Sequence, residues 1–145
     1  MTDGTEHNPG LSSMDIVNER AQIESLENAI LAEVDRFNYP KASRFALKLA
    51  LEEGLTNAFN HGHENLPPDT PIHVEFDVND KAITVAIEDQ GPGFRPEGVP
   101  DPTLDENLTE PHGRGIMLMR AYMTRVSHND RGNRIELYYE RPADG

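Results

Sequence analysis

The sequence predicts an α+β two-layer sandwich, in which a mixed, mostly antiparallel sheet carries three helices on one face. Two pairs of short segments alternate apolar and polar residues, which is typical of β-hairpins. Three longer segments place apolar residues at helical spacing. Their order along the chain is (β)ααββ, a long loop, then αββ. This order predicts two hairpins that build the sheet and three helices that cover it.

The helices are predicted from apolar residues that recur every three or four positions. The first runs from about 22 to 37 and is broken at Pro40. The second runs from about 42 to 61, with Gly62 as its stop. The third begins at about 114 in RGIMLMRAYM.

The strands are predicted from alternation and from the turn residues between them. ND joins the first hairpin and DRGN joins the second. A short strand before the first helix is also predicted. In chain order the predicted strands are MDIVNE, IHVEFDV, KAITVAIED, TRVSHN and RIELYYE.

The chain length predicts a single domain. Residues 1–12 are polar and predict a disordered tail, 13–141 form the domain, and 142–145 are a short C-terminal tail. A loop rich in Pro and Gly follows residue 90. A loop of this length in a compact domain is usually a lid or a binding loop.

The composition excludes several classes of function. The net charge of −13 argues against binding a nucleic-acid backbone or an anionic membrane surface. The chain has no cysteine, no long apolar run and no secretory signal pattern, so we expect a cytoplasmic protein without disulfides or thiolate metal sites. The acidity either serves solubility or steers a basic partner.

The second predicted helix carries Glu53, Asn57 and His61 at a four-residue step, so the three side chains face the same way. Ala46 and Ala50 share this flank and are expected to leave room for a ligand. Glu52 is expected on the solvent side and to be dispensable. The row has three interpretations: a solvated helix edge, a Mg²⁺ site built from oxygen ligands, or a general base.

A glycine-rich turn follows the third predicted β-strand. EDQGPGF places Asp89 at the strand end, followed by Gly91 and Gly93. An aspartate there can accept a hydrogen bond from an amino group such as that of adenine, and the glycines allow close approach of a ligand. Alone, an ordinary turn is the simpler interpretation.

A second glycine-rich segment opens the third predicted helix. HGRGIMLM places Gly113 and Gly115 where free backbone N–H groups can bind phosphate. Arg114 adds a charged donor. By itself this segment is weak evidence for a phosphate-binding site, and it lacks the P-loop pattern.

Together, EEGLTNAFNHG, EDQGPGF and GRGIML resemble the N box and the two glycine boxes of the GHKL (Bergerat-fold) ATPase and kinase superfamily, which includes gyrase and the histidine kinases. The chain is most similar to the anti-sigma-factor serine kinase branch. The resemblance covers about residues 14 to 140. It implies the Bergerat ATP-binding fold, with residues 94–112 as the ATP lid.

The resemblance implies a role for each matching position. Asn57 would hold Mg²⁺, Glu53 would be the catalytic base, and Asp89 would bind the adenine amine of ATP. His61 matches a histidine of the N box whose role is structural or catalytic, and a zinc site built on His61 and His63 is not favoured. The remaining ATP-binding positions are Gly91 and Gly93 at the adenine, and Gly113, Arg114, Gly115 and Ile116 at the phosphates.

The implied function is a Mg²⁺–ATP-dependent serine/threonine protein kinase that phosphorylates a small anti-anti-sigma (STAS-like) partner. A sigma factor would compete for the kinase, which would regulate transcription by partner switching, and a homodimer is implied. The alternative is an ATP-gated partner-binding module without kinase activity. One position departs from the family: Gly132-Asn133 stands where Gly-Thr is usual, which puts the affinity for ATP in doubt.

Overall fold

A computed structural model describes residues 11–63, 66–91 and 111–143. The predicted tail over residues 1–10, Gly93 and most of the predicted lid lie outside the described residues. In chain order the elements are β1 Leu11–Ile16, α1 Arg20–Arg36, α2 Lys41–Asn57, a π-helical turn Ala58–Gly62, β2 Ile72–Val78, β3 Ala82–Glu88, α3 Pro111–Tyr122, β4 Arg125–His128 and β5 Arg134–Glu140.

The five described strands form one sheet in the order β1-β2-β3-β5-β4. Every pair of neighbouring strands is antiparallel, so the predicted α+β class is confirmed and no parallel pair occurs within the described strands. The bounds of β2 and β5 are those predicted from alternation. No helix of the described residues is long and apolar enough to cross a bilayer.

The first strand begins earlier than predicted. Leu11 pairs with Asp77 and Ile16 pairs with Ile72, so β1 matches nearly the full length of β2. This corrects the predicted tail boundary at residue 12. The sequence pattern was weak here because Ile16 is the one buried side chain of this edge strand.

The core lies between one face of the sheet and the three helices. Alternate residues of β2 and β3 point into it, while the residues between them are half-exposed on the other face, except the buried Ala86. Burying one Val, Leu or Ile side chain in this core contributes about 1.5–3 kcal/mol to the stability of the fold. The fully buried core side chains include Leu26, Ile30, Val34, Leu47, Leu51, Ile72, Val74, Ile83, Val85 and Leu137.

Helix α2 packs unusually close to the sheet. A Cβ atom at Gly54 would lie 2.7 Å from Cδ1 of Ile87, which explains a poor helix former in this helix. Ala46 and Ala50 are also buried in the core, with 6% and 1% of their surface exposed. The expectation that these two alanines leave room for a ligand is therefore wrong, because both side chains are buried in the core between the helices and the sheet.

A charged network crosses the open face of the sheet. Arg134 donates to Glu75 over 2.8 Å and to Glu88 over 3.1 Å. His73 contacts Asp15 through Nδ1 at 2.6 Å and Glu75 through Nε2 at 3.1 Å. The network joins β1, β2, β3 and β5 on the side away from the helices.

This network makes stability depend on pH. The hydrogen bond to Asp15, together with that to Glu75, raises the pKa of His73 above its ordinary 6.5. A raised pKa in the folded state stabilises the protein below about pH 6.5, and this contribution is lost as pH rises through the folded value. We expect wild type to lose more thermal stability than His73→Gln between about pH 5.5 and 8.5. The effect is small because His73 is 40% exposed. Identical pH profiles for the two proteins would contradict it.

Candidate functional site

The end of α2 meets the end of β3 through two glycines. After Asn57 the backbone widens into the π-helical turn, a feature often found at functional sites. This turn brings Gly62 against Asp89, so a Cβ atom at Gly62 would overlap the Asp89 carboxyl. A Cβ atom at Gly91 would overlap the carbonyl oxygen of Gly62. Only glycine fits at Gly62 without moving Asp89, and only glycine fits at Gly91 without moving the Gly62 backbone.

The Asp89 backbone and side chain are both anchored. The N–H of Gly91 donates to Oδ1 of Asp89 over 2.8 Å. The N–H of Asp89 donates to the carbonyl of Asn133 over 2.9 Å, and Nδ2 of Asn133 donates to the Asp89 carbonyl over 3.1 Å. The carboxyl is therefore held in one orientation, and its Oδ2 accepts no hydrogen bond from a described residue.

Burial raises the pKa of Asp89, and the hydrogen bond from Gly91 opposes this shift. The cause is desolvation, which also strengthens any hydrogen bond that the remaining oxygen makes. A fixed, half-buried carboxyl of this kind is suited to accept a hydrogen bond from an amino group of a ligand.

Asn133 takes over the anchoring position where the family usually has Thr. Its side chain is buried, it donates to the Asp89 carbonyl, and it accepts a hydrogen bond from Asn129 over 2.8 Å. We expect Asn133→Ala to destabilise the protein by about 1–3 kcal/mol, because a buried carbonyl loses its donor. Thermal unfolding measures the stability, and the affinity for ATP should fall in parallel. If neither the stability nor the affinity for ATP changes, this hydrogen bond does not hold Asp89 in place.

His63 has a role that the sequence did not indicate. Its Nε2 accepts a hydrogen bond from the N–H of Gln90 over 2.8 Å, and its ring packs edge-on against Phe59. His63 therefore positions the residue that follows Asp89. Its spacing from His61 suggested only a weak metal pair. The described residues contain no group of three or more His, Cys, Asp or Glu that could hold a metal ion.

Glu53 and Asn57 lie one turn apart near the end of α2, and both are half-buried. Their oxygen atoms are the type of ligand that Mg²⁺ prefers, and Mg²⁺ commonly takes only one or two protein ligands beside water and phosphate. The donor set therefore fits such an ion. Glu52 is also half-buried and lines a cavity beside α1, which corrects its predicted place on the open solvent side.

The second glycine segment lies within the first turns of α3, as predicted. Gly113, Arg114, Gly115 and Ile116 belong to this helix, whose side chains are described from residue 117 onward. Helix α3 packs on α2, and Sδ of Met119 lies 3.7 Å from a Cβ atom placed on Gly54. This contact places the second half of α3 beside the α2 segment that carries Glu53.

The model of the histidine kinase-like ATPase domain family matches residues 16–139. The match covers most of the chain, and the protein therefore belongs to this family. Membership confirms the resemblance to the GHKL superfamily and implies that the chain binds ATP.

The chain is also similar to two anti-sigma F factors. The chain is 29% identical over 98 residues to the anti-sigma F factor of Clostridium botulinum (strain Eklund 17B / Type B), over 63% of this chain and 66% of the relative. It is 30% identical over 90 residues to the anti-sigma F factor of Clostridium beijerinckii (strain ATCC 51743 / NCIMB 8052), over 60% of this chain and 62% of the relative. The chain thus spans less than two thirds of the length of either relative.

Proposed function

We propose that the protein is a cytoplasmic, Mg²⁺–ATP-dependent serine/threonine protein kinase of the anti-sigma-factor type. Its substrate is a small anti-anti-sigma (STAS-like) protein, and a sigma factor competes for the same kinase. The contact of Gly62 with Asp89 and Gly91 carries the proposal, because it joins the α2 row to the adenine-binding turn. The two anti-sigma F factor relatives support this branch of the family.

Each end of the site has a distinct task in this proposal. Asp89 accepts a hydrogen bond from the adenine amine, while Gly91 and Gly93 shape the adenine pocket. Asn57 holds Mg²⁺, which neutralises charge on the phosphates when it is bound. Backbone N–H groups of the segment Gly113 to Ile116, in the first turns of α3, donate hydrogen bonds to the phosphates. The Arg114 guanidinium is a further, charged donor to them.

Glu53 is the proposed general base. It is half-buried and lies on the same helix flank as Asn57, so its carboxylate is on the side of α2 where the proposed Mg²⁺ and phosphates bind. Phosphate transfer needs little covalent chemistry from the protein, so catalysis depends on positioning and on charge stabilisation. Glu53 takes the proton of the hydroxyl as its oxygen bonds to the γ-phosphorus, the bond from that phosphorus to the β,γ-bridging oxygen breaks, and ADP leaves.

Partner switching requires that two proteins share one surface of the kinase. The substrate and the sigma factor bind in turn, and phosphorylation of the substrate ends its binding. A homodimer completes the proposed assembly, as the resemblance implies.

The test is a pull-down with the full chain from its native cell in the presence of ATP and Mg²⁺. We expect one small partner to carry phosphoserine or phosphothreonine after incubation. If a partner is captured in the presence of ATP but is never phosphorylated, the protein is an ATP-gated binding module and not a kinase. A parallel sample with Asn57→Ala should contain no phosphorylated partner, in either the bound or the released fraction.

A further inference from the structure

The cavity that Glu52 lines lies between α1 and α2, beside Glu52 rather than Glu53. Its volume is about 390 Å³, within the range of about 300–1,000 Å³ that is common for ligand pockets. Its walls are mostly polar and include two carboxyl groups. The carboxyl groups belong to Glu27 and Glu52, the apolar residues are Ile23, Leu55 and Phe59, and the other lining residues are Asn18, Arg20, Thr56 and Asn60.

Glu27 is the unusual member of this cavity. Only 5% of its surface is exposed, and its side chain has no ion pair or hydrogen bond with any described residue. Burial and the nearby carboxylate of Glu52 both raise the pKa of Glu27. Within the described residues no buried side-chain oxygen or nitrogen lacks a partner, so the Glu27 carboxyl opens on the cavity, where a cationic group of a ligand can bind it together with Glu52.

The basic residues near Glu27 do not fill this role. Arg20 is directed outward, with 71% of its side chain exposed, and its Nε donates to Glu24 over 3.0 Å. Lys48 is exposed on α2 and acts on Glu27 only through its charge. The space beside the two carboxyl groups thus remains open to a cation from outside.

We propose that this cavity binds one basic side chain of a partner protein. The apolar residues of its walls fit the methylene stem of arginine or lysine, and such stems commonly lie on apolar surface while the charged end reaches a carboxylate. The net charge of −13 draws basic partners towards the chain.

The test uses a capped amino acid that presents the side chain as a protein would. N-acetyl-arginine-N-methylamide is titrated into the full chain and followed by amide chemical shifts. We expect shifts confined to the residues of α1 and α2 around the cavity. The matching citrulline derivative, which has the same shape without the charge, should produce none.

Glu27→Gln is the decisive variant. We expect it to weaken binding of the arginine derivative at least about tenfold, because a charge-assisted hydrogen bond is lost. Its melting temperature should equal or exceed that of wild type, which shows that the loss does not arise from unfolding. Glu33→Gln is the matched control, because Glu33 lies on α1 outside the cavity and pairs with Arg36.

Three results would overturn the proposal. Equal binding of the arginine and citrulline derivatives would show that charge is not recognised. Shifts outside the cavity alone would show that the cation binds elsewhere. Binding of free agmatine without binding of the capped arginine would assign the cavity to a small amine instead of a protein side chain. None of these readouts requires ATP, so their failure is distinct from a failure of the kinase proposal.

Discussion

Replacing Glu53 by Gln is expected to lower the rate of phosphate transfer to the partner by about 10²- to 10⁴-fold, while ATP binding is retained. Glutamine keeps the size of the side chain and its hydrogen-bonding oxygen, but it cannot accept the hydroxyl proton. The rate is measured in a single turnover with γ-labelled ATP and purified partner. Calorimetric titration with Mg²⁺ and ATP measures the affinity of the same protein.

The control for this variant is Glu33→Gln, which removes one carboxylate from the surface of α1 and should transfer phosphate at the wild-type rate. If Glu53→Gln also transfers phosphate at that rate, Glu53 is not the base. If the variant loses ATP binding together with transfer, its carboxylate acts on the nucleotide or its metal ion instead.

Replacing Gly91 by Ala is expected to weaken ATP binding more than tenfold and to destabilise the fold by about 1–3 kcal/mol. The added methyl group would overlap the Gly62 carbonyl, so the turn and Asp89 must both move. The melting temperature should fall by roughly 2–4 °C for each kcal/mol lost. Thermal unfolding and ATP titration on one sample measure both effects.

Gly54→Ala separates site disruption from simple overpacking. Its Cβ would meet the end of the Ile87 side chain, which can shift, and alanine favours a helix by about 1 kcal/mol over glycine. We expect a small change in stability and unchanged ATP affinity. An equal loss of ATP affinity in the two variants would show that packing strain, rather than the geometry at Asp89, controls nucleotide binding.

Much of the fold could be predicted from local patterns. Alternation in IHVEFDV and RIELYYE predicted β2 and β5 with their observed bounds, because inward and outward residues of a half-buried sheet differ in polarity. Apolar residues at helical spacing predicted the buried face of α2, where Leu47 and Leu51 are fully buried. The grouping of Asp89 with Gly91 followed from their short spacing.

The remaining features depend on contacts between distant segments, which no local pattern encodes. Asn133 anchors Asp89 from the turn before β5, and His63 anchors Gln90 across a loop. The position of Glu52 was missed because its neighbour α1 turns a nominally exposed face into a cavity wall. Gly62 could be predicted as a helix stop, but its close approach to Asp89 could not.

The most direct test of the account is transfer of labelled γ-phosphate from ATP to a purified STAS-like partner in the presence of Mg²⁺. The account predicts label on one serine or threonine of the partner, with none when that residue is replaced by alanine. It also predicts no transfer when Mg²⁺ is removed by a chelator. ATP binding without any label on a partner that forms a stable complex with the chain would contradict the kinase function.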